Sequence, residues 1–414
     1  MTDIIPTTWE IVELSSVCEI TSSKRVKQED YQVTGVSFYR SKEIILKARG
    51  LEPKSVICIS EELFRAFEEK FGSPSKGDIL ISAVGTIGVV YQVVDETFYF
   101  KDGNLLWLRN LSQSFSRFLK YYLSGEKAQR DLGEVSIGSS QAALTIEKLS
   151  RLSVPIPPVV EQEKIADILT SFDDTIEHTQ TQVAKLQDLK TATMNELLTR
   201  GIGHTEFKES ALGLIPTTWE EGKLSDFVGV ITSGGTPKVD NKIFYGGDIP
   251  FLKIADLTST SRYIYDSAET ITRLGVEESS AKVFPTGTVL TTMYGTIGIS
   301  RILKKPMACN QAIAAFLELK NLSSSYLMYK LNSLSEEMSS QSSQTTQANI
   351  SAGFLKDLQV VLPPLVEQEK IADILTSLDD QIEAVESKLG QLEALKKSLM
   401  GDLLTGKVRV SVNE

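Results

Sequence analysis

The sequence predicts an α+β protein: two globular α+β domains joined by two long α-helices that form an antiparallel coiled coil, with pseudo-two-fold symmetry. Three observations predict it. Residues 160–174, VEQEKIADILTSFDD, recur 206 residues later as VEQEKIADILTSLDD at 366–380, with one difference in fifteen. Shorter words recur in the same order around that segment: IPTTWE at 5–10 and 215–220, GTIG at 85–88 and 295–298, and LLT from Leu197 and Leu403. A period of this length far exceeds that of solenoid or propeller modules, so each copy is a whole domain plus helix. Finally, the apolar spacing becomes helical after each double proline and remains so over roughly 40 residues.

Taken in order, residues 1–155 form the first globular domain. Its β-branched stretches at 78–82 and 89–94 predict strands, and 61–70 and 114–123 predict short helices. Residues 156–210 form the first helical region. Pro157 and Pro158 fix the chain direction before the helix, and Ile165, Leu169, Phe172, Ile176, Val183, Leu186 and Leu197 fall on one stripe. A helix over 160–200 ends at Gly201 and, at 1.5 Å rise per residue, is about 60 Å long, more than the diameter of one domain. Such a helix needs a partner along its seam.

Residues 211–360 repeat the globular plan, with strands expected at 289–292 and 313–319 and a helix at 324–334. The polar stretch 335–346 reads as a loop or the end of a helix. Residues 361–414 supply the second seam: Ile371, Leu375, Leu378, Ile382, Val385, Leu389 and Leu392, then Leu395, Leu399 and Leu403 after a small phase shift, before Gly406. Two similar seams in one chain are most economically paired with each other, antiparallel.

The 414 residues, 41% hydrophobic, allow two to four domains with their own cores. The N-terminus lacks a basic region followed by an apolar stretch, and no run approaches the roughly 18 apolar residues of a membrane span, so the default expectation is a cytoplasmic protein with no membrane partner. Cys18, Cys58 and Cys309 have neither disulfide-framework nor zinc spacing and read as small buried hydrophobes. A net charge of -11 opposes indiscriminate coating of nucleic acid, so any DNA-binding face must be local. Lys24, Arg25 and Lys27 form one basic cluster and Arg301, Lys304 and Lys305 another; solvated loop charges explain both equally.

Catalytic signatures are sparse. His178 lies within the first long helix and His204 in the turn after it, outside both globular domains, which argues against histidine acid–base chemistry and a histidine metal site. Neither a Walker sequence nor a GxGxxG after a strand is present. Glu68 with Lys70, and Glu386 with Lys388, are E-x-K fragments too short to specify a nuclease. The GTIG pairs read first as turns, as does Gly234-Gly235-Thr236-Pro237, although exposed amides there beside Lys238 would suit a phosphate.

Together, VPIPPVVEQEKIADIL (154–169), VLPPLVEQEKIADIL (361–375), the polar words SSQAAL and TTQANI, and ITSGGTPKVDNKIFYGGDIPFLKIADL (231–257) resemble the specificity subunit of type I restriction-modification systems over essentially the whole chain. ITSSKRVKQEDYQVTGVSFYRSKEI (20–44) is similar to the same opening of a target-recognition domain. The resemblance implies a non-catalytic DNA reader whose two target-recognition domains each read half of a bipartite, asymmetric site in double-stranded DNA, while the coiled coil sets the spacer. It implies two adenine-N6 methyltransferase subunits and, through them, restriction/translocase subunits as partners. No cofactor is expected on this chain: S-adenosylmethionine belongs to the methyltransferase, ATP and Mg to the restriction subunit. Expected DNA-binding residues are Lys24, Arg25, Tyr39, Arg40 and Lys42 in the first domain and Thr236, Lys238, Lys253, Tyr294 and Arg301 in the second. Expected methyltransferase-docking residues are Glu161, Gln162, Ile165 and Ile168, with Glu367, Gln368, Ile371 and Ile374. A coiled-coil adaptor that touches no DNA, and a carboxylate nuclease, are the competing readings.

Overall fold

The computed structural model describes residues 5–136, 143–341 and 349–411; the expected SSQAAL and TTQANI words fall largely outside them. The chain folds as two units: Met1–Thr181 with Ser387–Glu414, and Gln182–Glu386. The long helices are Val159–Thr199 and Leu365–Leu403, so each unit contains the beginning of one and the end of the other. No helix among the described residues is long and apolar enough to cross a membrane.

In the first unit, a four-stranded antiparallel sheet runs Glu19–Thr21, Leu105–Arg109, Ile79–Ser82, Val90–Gln92. Beside it lies a three-stranded sheet of Ile57–Ile59, Val36–Tyr39 and Phe98–Phe100. The second unit repeats the first sheet order with Val228–Ser233, Ile313–Leu319, Val289–Thr292 and Ser300–Leu303, then adds Tyr263–Ile264 at the edge. Its other sheet is Glu269–Ile271, Tyr245–Leu252, Met307–Cys309 and Val283–Phe284. Each unit also closes a two-stranded ribbon between the residues after its IPTTW word and those before its double proline, Glu10–Glu13 with Ser153–Ile156 and Glu220–Lys223 with Gln359–Leu362. That ribbon aims the chain into the long helix.

The repeated helix segment folds into its own unit. Ile165 and Leu169 join the first core together with Leu403 and Leu404, and Ile371 and Leu375 join the second with Leu198. Burying each such side chain contributes about 1.5–3 kcal/mol relative to exposure. The helix pairing within each unit is antiparallel. In the second unit, Gln187 donates to Glu386 at 3.2 Å and Lys190 pairs with Asp379 at 2.6 Å, so contacts rise along one helix as they fall along the other. In the first, Lys396 pairs with Asp173, and beyond the helix end Arg409 pairs with Glu161.

Two matching locks hold the repeat. Tyr121 and Tyr329 donate to Asp173 and Asp379 at 2.6 and 2.7 Å, and Lys396 and Lys190 pair with the same two carboxylates. At the helix starts, the indole N–H groups of Trp9 and Trp219 donate to Glu161 and Glu367 at 3.3 and 3.2 Å. Arg409 completes the lock on Glu161; Glu367 instead accepts from the Ile202 N–H at 2.9 Å and lies 2.8 Å from His204 Nε2. His178 is exposed on its helix. Cys18 and Cys309 are buried, while Cys58 is half-buried. Of the stretch expected to be loop or helix end, Ser335–Ser340 is helical.

Candidate nucleic-acid interface

Strand pairing brings three separate connections to one end of the larger sheet in each unit. In the second unit they follow Val228–Ser233, follow Val289–Thr292 and precede Ile313–Leu319, because Ser233 pairs with Ala314 and Thr292 with Ile313. In the first they follow Glu19–Thr21, follow Ile79–Ser82 and precede Leu105–Arg109, because Thr21 pairs with Trp107 and Ser82 with Leu105. The smaller sheet delivers a fourth element to the same place: Lys101 N–H donates to Tyr39 O, and Asn310 N–H to Leu252 O, setting Arg40 and Lys253 beside the tips. Loops clustered at one end of a sheet are a rigid platform for recognition.

The GTIG words form one of these tips. Ser82 Oγ donates to Thr86 O at 2.5 Å and accepts from Val89 N–H; Thr292 makes the same pair of bonds to Thr296 O and Ile299 N–H. The residues just before and within the word, Val84 to Thr86 and Tyr294 to Thr296, are exposed. The glycine pair is thus a turn whose apex is presented outward. The GGTP turn has a different reason for its glycines: a Cβ on Gly234 or Gly235 would run into the backbone of Cys309, Asn310 or Ser280. Both amides are used internally, Gly234 N–H to Ile313 O at 3.1 Å and Gly235 N–H to Cys309 O at 3.0 Å. The expectation that these amides stand free for a phosphate is therefore corrected; what the turn presents is Thr236 and Lys238.

The expected DNA-contacting residues separate by burial. Lys24, Arg25, Arg40 and Lys42 gather at the tips of the first unit, with Lys24 4.8 Å above the Phe71 ring and Arg40 held to Glu43 at 2.7 Å. Thr236, Lys238, Lys253 and Tyr294 gather in the second, with Lys253 bonded to Glu269. Tyr39 does not stand with them. Its ring is buried against Phe98, its hydroxyl donates to Glu96 at 3.1 Å, and it belongs to the core. Arg301 is also turned inward: its guanidinium donates to Thr260 O and Ser300 O at 2.8 Å each, and burial pulls it below the usual arginine range. The neighbouring cations lie at the other end of that sheet, Lys304 over the Tyr263 ring at 3.8 Å and Lys305 paired with Asp266 at 3.0 Å.

The expected docking residues also divide. Glu161, Gln162, Ile165, Gln368 and Ile371 are buried in their own units. The two glutamines turn back on the chain, donating to Pro157 O and Pro363 O at 2.8 and 2.9 Å, and Gln368 also accepts from Ser323 N–H. These five residues hold the helix start, a correction the sequence did not foresee because their partners are far away in it. Ile168 and Glu367 are half-buried, and Ile374 is exposed. The outward face of each helix start is apolar as well: Val159 and Val160 are 56% and 55% exposed, Leu365 and Val366 40% and 65%. Sequence reasoning missed these residues, as it missed Gln311, whose side chain accepts the Thr236 hydroxyl.

Comparison with known proteins supplies the frame for this geometry. Residues 6–188 and 216–394 each match the type I restriction modification DNA specificity domain. The chain is 36% identical over 197 residues to the type I restriction enzyme MjaIX specificity subunit of Methanocaldococcus jannaschii, an alignment spanning 47% of this chain and 44% of that relative. Over 422 residues it is 26% identical to the putative MjaX specificity subunit of the same organism, covering 98% of this chain and 95% of the relative. Its fold is similar to that of the type I restriction-modification S subunit from M. genitalium, with a TM-score of 0.58 at 16% identity over 100% of this chain and 98% of that one.

Proposed function

The chain belongs to the type I restriction-modification DNA specificity family, as a non-catalytic specificity subunit that recognises a DNA target sequence, and we propose how its parts divide that task. Residues 1–155 and 211–360 are the target-recognition domains. Each reads one half of a bipartite, asymmetric site in duplex DNA through the loops gathered at its sheet end. One observation carries this reading: both units bring the same set of connections to the same sheet end, yet furnish them differently, with Lys24, Arg25, Arg40 and Lys42 in one and Thr236, Lys238, Lys253 and Tyr294 in the other. A common platform with different side chains suits two readers of different half-sites, with phosphate contacts positioning the domain and base-edge contacts specifying it.

The helical regions, 156–210 and 361–414, set the number of unread base pairs and dock two adenine-N6 methyltransferase subunits, which in turn engage restriction/translocase subunits. Buried positions repeat because each unit needs the same lock. Exposed positions have no such reason, yet Val160, Glu163, Lys164 and Ser171 recur as Val366, Glu369, Lys370 and Ser377. An exposed face repeated in this way fits one partner bound twice, so docking is assigned to these residues with Ile168 and Ile374, while Glu367, like Glu161, holds its helix start. S-adenosylmethionine stays with the methyltransferase, and ATP with Mg stays with the restriction subunit.

The test is to express the chain with its methyltransferase subunit and map methylated adenines across the host genome. A single bipartite motif is expected, and Val160→Asp or Val366→Asp should each weaken capture of one methyltransferase copy. Methylation without a bipartite motif would overturn the division of labour.

A further inference from the structure

Gln311 is an exposed glutamine at the tip of the connection between Met307–Cys309 and Ile313–Leu319, flanked by the buried Cys309 and Ile313. Its backbone is fixed on several sides. Asn310 N–H donates to Leu252 O at 3.0 Å, Asn310 Oδ1 accepts from Ala312 N–H at 3.1 Å, and Ala312 O accepts from Met293 N–H at 2.8 Å. The GGTP turn packs onto this connection so closely that only glycine fits at 234, while Gly235 is pressed against Ser280, and that approach carries Thr236 to the Gln311 side chain. There the Thr236 hydroxyl donates to Gln311 Oε1 and orients the carboxamide. One oxygen lone pair and the whole NH2 group remain for an outside partner. Exposed Lys238, Lys282 and Tyr294 lie on the connections around it.

Resting on the reading of this sheet end as a DNA-facing platform, we infer that Gln311 is the base-reading side chain of the second domain, selecting an adenine through that base's N6 and N7 edge, with Thr236 as its positioning residue. A carboxamide matches adenine in the major groove because it accepts from N6–H and donates to N7 at once. Pre-orientation by Thr236 removes the rotamer freedom such a contact otherwise loses. The flanking lysines suit phosphates, which position without specifying. In the first domain the same place is filled by Lys101, Asp102, Gly103 and Asn104, one residue longer and of different chemistry, which fits a different half-site.

The experiment is methylation mapping of the chain together with its methyltransferase subunit, for the wild type and for Gln311→Ala, Gln311→Glu, Thr236→Val and Thr236→Ser. Gln311→Ala should relax one adenine position in one half of the motif by roughly 10- to 100-fold in preference, the range of a good bidentate contact. Gln311→Glu should move that position toward cytosine, whose N4 group donates to a carboxylate. Thr236→Val should blunt the same position and Thr236→Ser should restore it, with the other half unchanged throughout and unfolding midpoints unaltered. If the wild type gives a bipartite motif and both Gln311 variants keep every position of it, the inference fails while the broader reading stands. A wild type with no motif overturns both.

Discussion

The helices Gln113–Ser124 and Ser324–Ser333 occupy the same place in the two units and differ in an instructive way. Both place a tyrosine, Tyr121 or Tyr329, against the repeated aspartate of a long helix, and both hydroxyls also lie beside a threonine, Thr170 or Thr376. Three residues earlier, Phe118 in the first unit answers to Tyr326 in the second; one residue later, Tyr122 answers to Lys330. The contact with the repeated aspartate is kept, while the two neighbouring buried positions have drifted. Identity in this duplicated chain therefore follows shared helix contacts, whereas the second unit carries the more polar interior.

The largest difference should appear at the aspartates themselves. Asp379 is buried, accepts from Tyr329, pairs with Lys190 and lies 3.9 Å from Arg262, itself buried and bound to Asp380 and Glu383 at 2.6 and 3.3 Å. Asp173 has Tyr121, Lys396 and, at 3.8 Å, Lys120, but it is more exposed. Removing a buried charge strands its partners, while an exposed pair contributes little. Asp379→Ala should destabilise by about 3 kcal/mol, and Asp173→Ala by about 1 kcal/mol. Urea unfolding followed by hydrogen exchange in each unit measures both; equal losses would break the comparison.

Lys330 sharpens the comparison through pH. Its ammonium group is buried, donates to Leu198 O at 3.2 Å, and burial lowers its pKa from 10.5 to about 8. Between about pH 8 and 10.5 the unfolded chain holds the proton that the folded unit has released, so stability rises with pH across that window. Below it, the penalty for burying the charge is fully present. The second unit should gain on the order of 2 kcal/mol between pH 8 and 10. Lys330→Met should flatten that rise, as read from unfolding midpoints at each pH. Tyr122, at the matching place, carries no such charge.

Much of this architecture was legible in the sequence, and the limits of legibility have a physical cause. The expected strands at 289–292 and 313–319 are the observed ones, and the first long helix differs from its expected span by one residue at each end. Local periodicity and glycine stops determine such elements. What could not be read was direction. Glu161 looked like a docking residue because its partners, Trp9 and Arg409, are 152 and 248 residues distant. Tyr39 and Arg301 sat in plausible motifs but point into the protein. Gln311 carried no signal, because its meaning comes from the strand order that places it beside Thr236, 75 residues away.

The smallest effect separates two kinds of difference between the units, drift and adaptation. Tyr326 is fully buried, and its hydroxyl has no hydrogen-bond partner among the described residues. Burial pushes that phenol well above its usual range, with the nearby Glu367 acting in the same direction. Phe118, its counterpart, packs edge-on against Trp9 at 6.3 Å and presents no polar atom to satisfy. A buried hydroxyl without a partner costs its desolvation, and replacing it by an isosteric apolar ring is neutral or stabilising. Tyr326→Phe should thus raise stability by up to about 1 kcal/mol, while Phe118→Tyr should lower it by about 1–3 kcal/mol. Both are read from urea midpoints at constant m-value. A loss of stability on Tyr326→Phe would mean that the second unit uses this hydroxyl, and that its polar interior is adaptation rather than drift.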